Sequence, residues 1–261
     1  MLNDSTDTFL RFKNRLNGKG TVYGLAVTVP GAAFCEITAN AGYDFVWIET
    51  EHTTLTLPEV ETMIVACENR GCIPLVRVRN NEPNTIGQVL DMGAKIVNIP
   101  HVDTVDDALR AVEAAKYYPL GRRGYATMTR STNQGSDRLD LGLMQRKNEE
   151  TMLMVQIESV AAVENVDAIA ELDGVDALFV GYADLCQDMG LAPDPNHPRC
   201  AEAIECVGQA IKQTGKHGMF IVSGPEALPH YRALGFDMIL CGMDSRIFAA
   251  GARAVRESFD L

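Results

Sequence analysis

Glu158, in Val155-Gln156-Ile157-Glu158-Ser159, and Asp184, in Gly181-Tyr182-Ala183-Asp184-Leu185, each follow an apolar run and lie 26 residues apart. That is about the length of one strand-helix unit, so the spacing sets the two carboxylates on the rims of adjacent parallel strands. Oxygen ligands with no Cys or His beside them select a hard divalent cation, Mg2+ or Mn2+, with positions left over for water and a chelating substrate. The competing reading is two ordinary strand-end carboxylates, paired or solvated. Arg77 sits inside an apolar run, Leu75-Val76-Arg77-Val78, where an unpaired charge is costly. Its planar fork suits a substrate carboxylate or a developing enolate oxygen, or else a buried ion pair to Glu49 or Glu158. His52 follows Glu49 and Glu51 at the end of another run and is a candidate base near neutral pH, against a plain solvated loop histidine. His101 directly follows a further run, a position that sets it apart from His197, His217 and His230, which have no evident partner. Arg122 and Arg123 form a basic loop that either binds an anion or is solvated. Gly224 and Gly242 stand where barrels often bind phosphate, and equally where chains turn.

Such residues need a frame that brings strand ends together. Eight short runs rich in Val, Ile, Leu and Phe recur at 22–29, 45–50, 73–78, 95–100, 152–158, 177–182, 219–223 and 238–243. Stretches with helical spacing separate them, the signature of parallel strands joined by crossover helices. Gly42, Gly93, Gly174 and Gly235 each precede a run by a few residues, as left-handed caps ending a helix. Pro58 suits a first helical turn, and Thr104 with Asp107 predicts a capped helix over 105–117. The pattern predicts a single α/β domain over 1–261, a (β/α)8 TIM barrel, with residues 1–20 as an amino-terminal extension. One interval, 118–150, is too long for a simple connection between the fourth crossover helix and the fifth strand. Counting places it on the face where helices lead into strands, away from the reacting end.

The 261 residues carry 23 Lys and Arg against 35 Asp and Glu, a formal charge of −12. That balance argues against a nucleic-acid or anionic-membrane partner, although one or two arginines and a metal can still gather a small anion. No run is long enough to span a membrane. Seven scattered cysteines without a Cys-x-x-Cys pair predict reduced core thiols and a cytoplasmic protein.

Gly42-Tyr43-Asp44-Phe45 running into Glu51-His52, the Arg77 run, Val89-Leu90-Asp91-Met92-Gly93-Ala94 and the two carboxylate segments occur in an order that resembles one family. It is the class II, metal-dependent pyruvate aldolases of the hydroxy-oxo-heptanedioate aldolase type, within the phosphoenolpyruvate- and pyruvate-binding barrel superfamily. The resemblance covers about 21–259. It implies a carbon-carbon lyase that cleaves or forms 4-hydroxy-2-oxo acids through a pyruvate enolate at the metal. In that scheme Glu158 and Asp184 ligate Mg2+ or Mn2+, and Arg77 stabilises the enolate oxygen. His52 moves protons, Glu49 belongs to the catalytic set, and Gln156 and Ala183 contact substrate. Asp91 resembles the acidic partner of this histidine, supplied from an adjoining subunit, which implies a homo-oligomer, a hexamer or a dimer-based assembly with carboxyl-terminal helix exchange. The chain departs from the family at Glu49, usually Asp, at Thr50, usually Gly, at Tyr182, usually Pro, and over the Thr-, Ser- and Asn-rich 127–136. These departures keep two alternatives open: a citrate-synthase-like condensing enzyme or acyl-CoA lyase joining oxaloacetate and acetyl-CoA, as in siderophore pathways, and a barrel that binds a metabolite without turnover.

Overall fold

The computed structural model describes residues 5–137 and 140–259. Its eight parallel strands are β1 (Val22–Val27), β2 (Phe45–Glu49), β3 (Ile73–Arg77), β4 (Ile96–Ile99), β5 (Met152–Ile157), β6 (Ala177–Val180), β7 (His217–Ile221) and β8 (Met238–Met243). They close in sequence order, β8 returning to pair with β1. The fold is a (β/α)8 TIM barrel, and all eight runs expected from the sequence are its strands. The outer layer contains α2 (Ala32–Asn40), α3 (Leu57–Asn69), α4 (Pro83–Asp91), α5 (Val105–Ala115), the pair α7 (Val160–Glu164) and α8 (Val166–Glu171), α9 (Tyr182–Asp188), α10 (Pro198–Thr214) and α11 (Leu228–Leu234).

The strands read as unbroken apolar runs because both of their faces are covered. Side chains alternate across a strand. Val46, Ile48, Val76, Val97, Leu153 and Val155 therefore pack outward against the helices. Phe45, Trp47, Ile73, Leu75, Met152, Met154 and Phe179 point inward and fill the barrel. Trp47 meets Phe179 edge to face at 4.8 Å. Helix α1 (Ser5–Asn17), inside the expected extension, closes the floor by inserting Phe9, Phe12 and Leu16 into that inner cluster.

The four glycines singled out as helix stops all have positive φ, between 93° and 108°, a region open to glycine at little cost. Thr104 and Asp107 form a reciprocal capping box at the start of α5, and Thr56 with Glu59 forms another before Pro58. Helix α5 ends at Ala115 rather than at residue 117, because Lys116 turns extended and sends its buried ammonium to Asp176 at 2.7 Å.

The long interval holds a short 3-10 segment (Arg130–Gly135) and α6 (Leu141–Glu149). It lies on the floor side, as counting predicts. Arg123 pairs with Asp91 at 2.6 Å, and Arg130 binds Glu68 and the Met92 carbonyl, all at the carboxyl-terminal ends of α3 and α4.

One expectation is corrected. Cys186 and Cys200 are joined as a disulfide linking α9 to α10, so the cysteines are not all free thiols. Cys35, Cys67 and Cys72 are free and buried, and burial pushes the Cys72 thiol up to about 12.

The last helix, α12 (Asp244–Ser258), is anchored at its first turn, where buried Asp244 accepts from the Thr28 and Val29 amides at 3.0 and 2.9 Å. Beyond that turn it stands clear of the barrel, with Ile247, Phe248, Val255 and the following Phe259 exposed. No helix among the described residues is long and apolar enough to cross a membrane.

Candidate active site

Inward-facing positions change character towards the carboxyl ends of the strands. On β2 the series Phe45, Trp47 ends in Glu49; on β3, Ile73 and Leu75 are followed by Arg77; on β4, Ile96 by Asn98; and on β5, Met152 and Met154 by Gln156 and then Glu158. The same period of two that builds the apolar interior therefore lays a polar layer on top of it. Register completes the layer, with Glu49 beside Arg77 and Arg77 beside Asn98 on paired strands.

Arg77 is the centre of this layer. Its Nε donates to Glu49 Oε2 at 2.6 Å, Nη2 lies 2.5 Å from the same oxygen, and Nη1 lies 2.9 Å from Glu51 Oε2. The guanidinium also rests on the Trp47 ring, 5.2 Å from its centroid. Glu49 Oε2 further accepts from Trp47 Nε1 at 3.1 Å, and Oε1 accepts the amides of Glu51 and His52 at 2.7 and 3.2 Å. Both structural partners are acidic side chains of the β2 end, so the expected ion pair goes to Glu49 and Glu51 rather than to Glu158.

Glu158 is 4% exposed. Burial pushes its carboxyl up, and the nearby Glu51 carboxylate adds to this, while hydrogen bonds from the His101 amide and Gln156 pull it down. The donors are the His101 amide to Oε1 at 2.7 Å and Gln156 Nε2 to Oε2; Gln156 is itself held by Asn98 at 2.7 Å. His101, at φ 55°, leans its ring over the pair of acids, Nδ1 3.2 Å from Glu158 and Nε2 3.0 Å from Glu51.

Asp184 and Ala183 lie exposed in the first turn of α9, whose flanking Gly181 backs directly onto Glu158. A Cβ on Gly181 would stand 2.9 Å from Glu158 Oε2 and 3.0 Å from Gln156 Nε2. Glycine is required there for the β6 end to approach the carboxylate. Glu158 and Asp184 thus sit on neighbouring strand ends, and their donor set, two carboxylates beside a deficit of solvation at Glu158, fits a hard divalent cation. Among the described residues no three His, Cys, Asp or Glu side chains are grouped so as to hold a metal ion.

The structure brings Glu49, Arg77, Gln156 and Glu158 together and puts His52 at the rim, exposed, with Nε2 3.7 Å from Glu51. Asp91 is not with them. It ends α4 at the floor, held by Arg123, on the opposite side of the barrel from His52. Glu51 and His101 were the residues that sequence reasoning left without a role. Their signal is position alone, since each lies two residues past the end of a strand. A cavity of about 660 Å3 lies away from the mouth, on the outer wall among α4, α5 and residues 122–126, and it is lined by Asp91, Arg110 and Arg123.

A profile of the HpcH/HpaI aldolase/citrate lyase family matches residues 23–250. The chain belongs to that family. It is 34% identical over 238 residues to a 2-keto-3-deoxy-L-rhamnonate aldolase of Salmonella typhi, covering 91% of this chain and 88% of that one. Among solved structures, an HpcH/HpaI family protein from Burkholderia cenocepacia superposes with a TM-score of 0.87 at 33% identity, covering 95% of this chain and 98% of that one. The citrate synthase SbnG superposes at 0.85 with 29% identity and the same coverage. The protein is accordingly an enzyme, a carbon-carbon lyase of the class II aldolase type, and the reading as a barrel that only binds a metabolite falls away.

Proposed function

We propose that the barrel mouth cleaves a 4-hydroxy-2-oxo acid to pyruvate and an aldehyde, or joins them, with Mg2+ or Mn2+ held by Glu158 and Asp184. When bound, such an ion polarises the 2-oxo group and offsets the charge that builds on its oxygen. The observation that carries the reading is the held guanidinium of Arg77, whose partner Glu51 is linked through the His101 ring to the buried carboxylate of Glu158. Three of the five N–H groups of Arg77 face Glu49 and Glu51, which leaves two for an oxygen of the substrate. Because the fork is fixed before the substrate arrives, it stabilises the enolate without reorganising. In the cleavage direction the C3–C4 bond breaks and its electron pair becomes the enolate. The C4 hydroxyl proton leaves towards His52 through a bound water, and C3 then takes up a proton to give pyruvate. Gln156 and Ala183 line the oxo-acid side, while Glu49 acts by fixing Arg77 and the 51–52 amides.

Among the described residues, the acid within ion-pair reach of His52 is Glu51. We assign the role of orienting His52 to Asp91 of a neighbouring copy, whose floor-side position and adjoining cavity suit contact with another barrel's rim. The exposed apolar face of α12 supports the same homo-oligomer, a hexamer or a dimer-based assembly. Nucleic acid and membrane have no part in this reading. A cytoplasmic location belongs to it as well; the five free thiols favour that location, and the Cys186–Cys200 link counts against it.

The test is solvent deuterium exchange into the pyruvate methyl group, followed by NMR with Mn2+ and then with a chelator. Exchange that needs the metal and disappears in Arg77→Ala is the expected result; exchange indifferent to both overturns the site. The similarity to SbnG favours a second reaction, condensation of oxaloacetate with acetyl-CoA. Release of free CoA from that pair, without pyruvate exchange, would select it.

A further inference from the structure

The orientation of Glu158 rests on donors from two directions. Gln156 supplies one, itself held by buried Asn98. On the other side His101 donates its main-chain amide to Oε1 at 2.7 Å and places ring Nδ1 3.2 Å from the same oxygen, at ion-pair distance. The amide can point there because residue 101 adopts φ 55°, a conformation that costs a histidine more than a glycine or asparagine. Unlike the carboxylate it touches, the ring is mostly open to solvent, with its far nitrogen on Glu51. An exposed aromatic ring in a costly backbone conformation adds little to the core, so its geometry has to be explained by what it holds.

We infer that His101 is a positioning residue for the metal carboxylate: through Nδ1 it fixes the rotation of Glu158 so that the group meets an incoming divalent ion without rearrangement. This rests on the proposed role of Glu158 as a ligand. Partners of this kind, one bond removed from the ion, typically alter affinity about 10- to 100-fold when lost.

The two ring nitrogens allow the idea to be separated from a general loss of polarity. In an asparagine the amide nitrogen occupies roughly the place of Nδ1, and in a glutamine the place of Nε2. His101→Asn therefore keeps the Glu158 contact and loses that to Glu51, while His101→Gln does the reverse. His101→Gly keeps the main-chain amide at positive φ and removes both. The measurement is Mn2+ binding to the purified full chain, with no substrate, read from the electron paramagnetic resonance of free Mn2+ at fixed pH. The expected result is a dissociation constant for His101→Asn within about 3-fold of the parent, and for His101→Gln and His101→Gly weaker by about 10-fold or more, with unchanged melting temperatures. Equal weakening in the Asn and Gln variants, or parent-like binding in the Gly variant, overturns the inference while the function stands, provided Glu158→Gln loses the ion. Should Glu158→Gln bind Mn2+ like the parent, the ligand assignment fails and this inference fails with it.

Discussion

Glu49 shows how a residue chosen for chemistry can be committed to structure. A carboxylate offers about four lone-pair sites, and those of Glu49 are shared among five nitrogens: Trp47 Nε1, Nε and Nη2 of Arg77, and two backbone amides. Removing it takes two of three acidic contacts from a guanidinium whose side chain is 12% exposed, leaving that to Glu51. Glu49→Ala should therefore cost about 3 kcal/mol of stability in urea denaturation and lower pyruvate exchange, whereas Glu49→Gln, which keeps an acceptor for the amides, should cost less. Parent-like stability in Glu49→Ala would remove this account of Arg77. The inward polar residues were legible in the sequence because each continues an apolar strand at the right parity. His101 was not, since its importance depends on a left-handed backbone and on two acids from other loops. Asp184 was legible as a neighbour of Glu158 but not in its exposure. Asp91 was legible only through resemblance, because nothing in the chain's own spacing relates a floor residue to a rim histidine.

At the scale of elements, the 118–150 connection is held by ion pairs to helix ends rather than by a core of its own. Glu68, on α3, has its carboxyl pushed up by burial, and the Arg130 guanidinium moderates that. A carboxyl raised in the folded state binds its proton more tightly there than in the unfolded chain. Stability from this group is therefore greatest at low pH and declines as pH rises from the unfolded carboxylate range through the folded pKa. Arg130→Ala should raise Glu68 further and deepen the decline, giving a loss of about 2 kcal/mol at pH 8 and a smaller one at pH 5. Denaturant titrations at the two pH values check it, and an equal loss at both would refute the coupling. Counting strands located this connection on the floor. Its contacts were not legible, because Arg130 reaches partners 38 and 62 residues away, beyond any local pattern.

At the scale of the whole molecule, α12 leaves one side of an otherwise covered barrel facing solvent with Phe248 70% and Phe259 81% exposed. Exposed apolar surface of this kind marks association. Sedimentation velocity should show an oligomer, and Phe248→Asp should shift it towards the monomer; a monomeric parent protein would sink the assembly proposed for Asp91. The stacking of a polar tier on an apolar one has a further result, for assembly of the chain. Because side chains alternate along every strand, sliding β3 by one residue would turn Arg77 out among Val60, Ile64 and their neighbours in the helix layer. It would also push valines into the ring of charges. The groups that serve the reaction thus also penalise misaligned pairings, so that a chain trapped one step out of alignment carries the cost of an unsolvated ion and is driven to re-form.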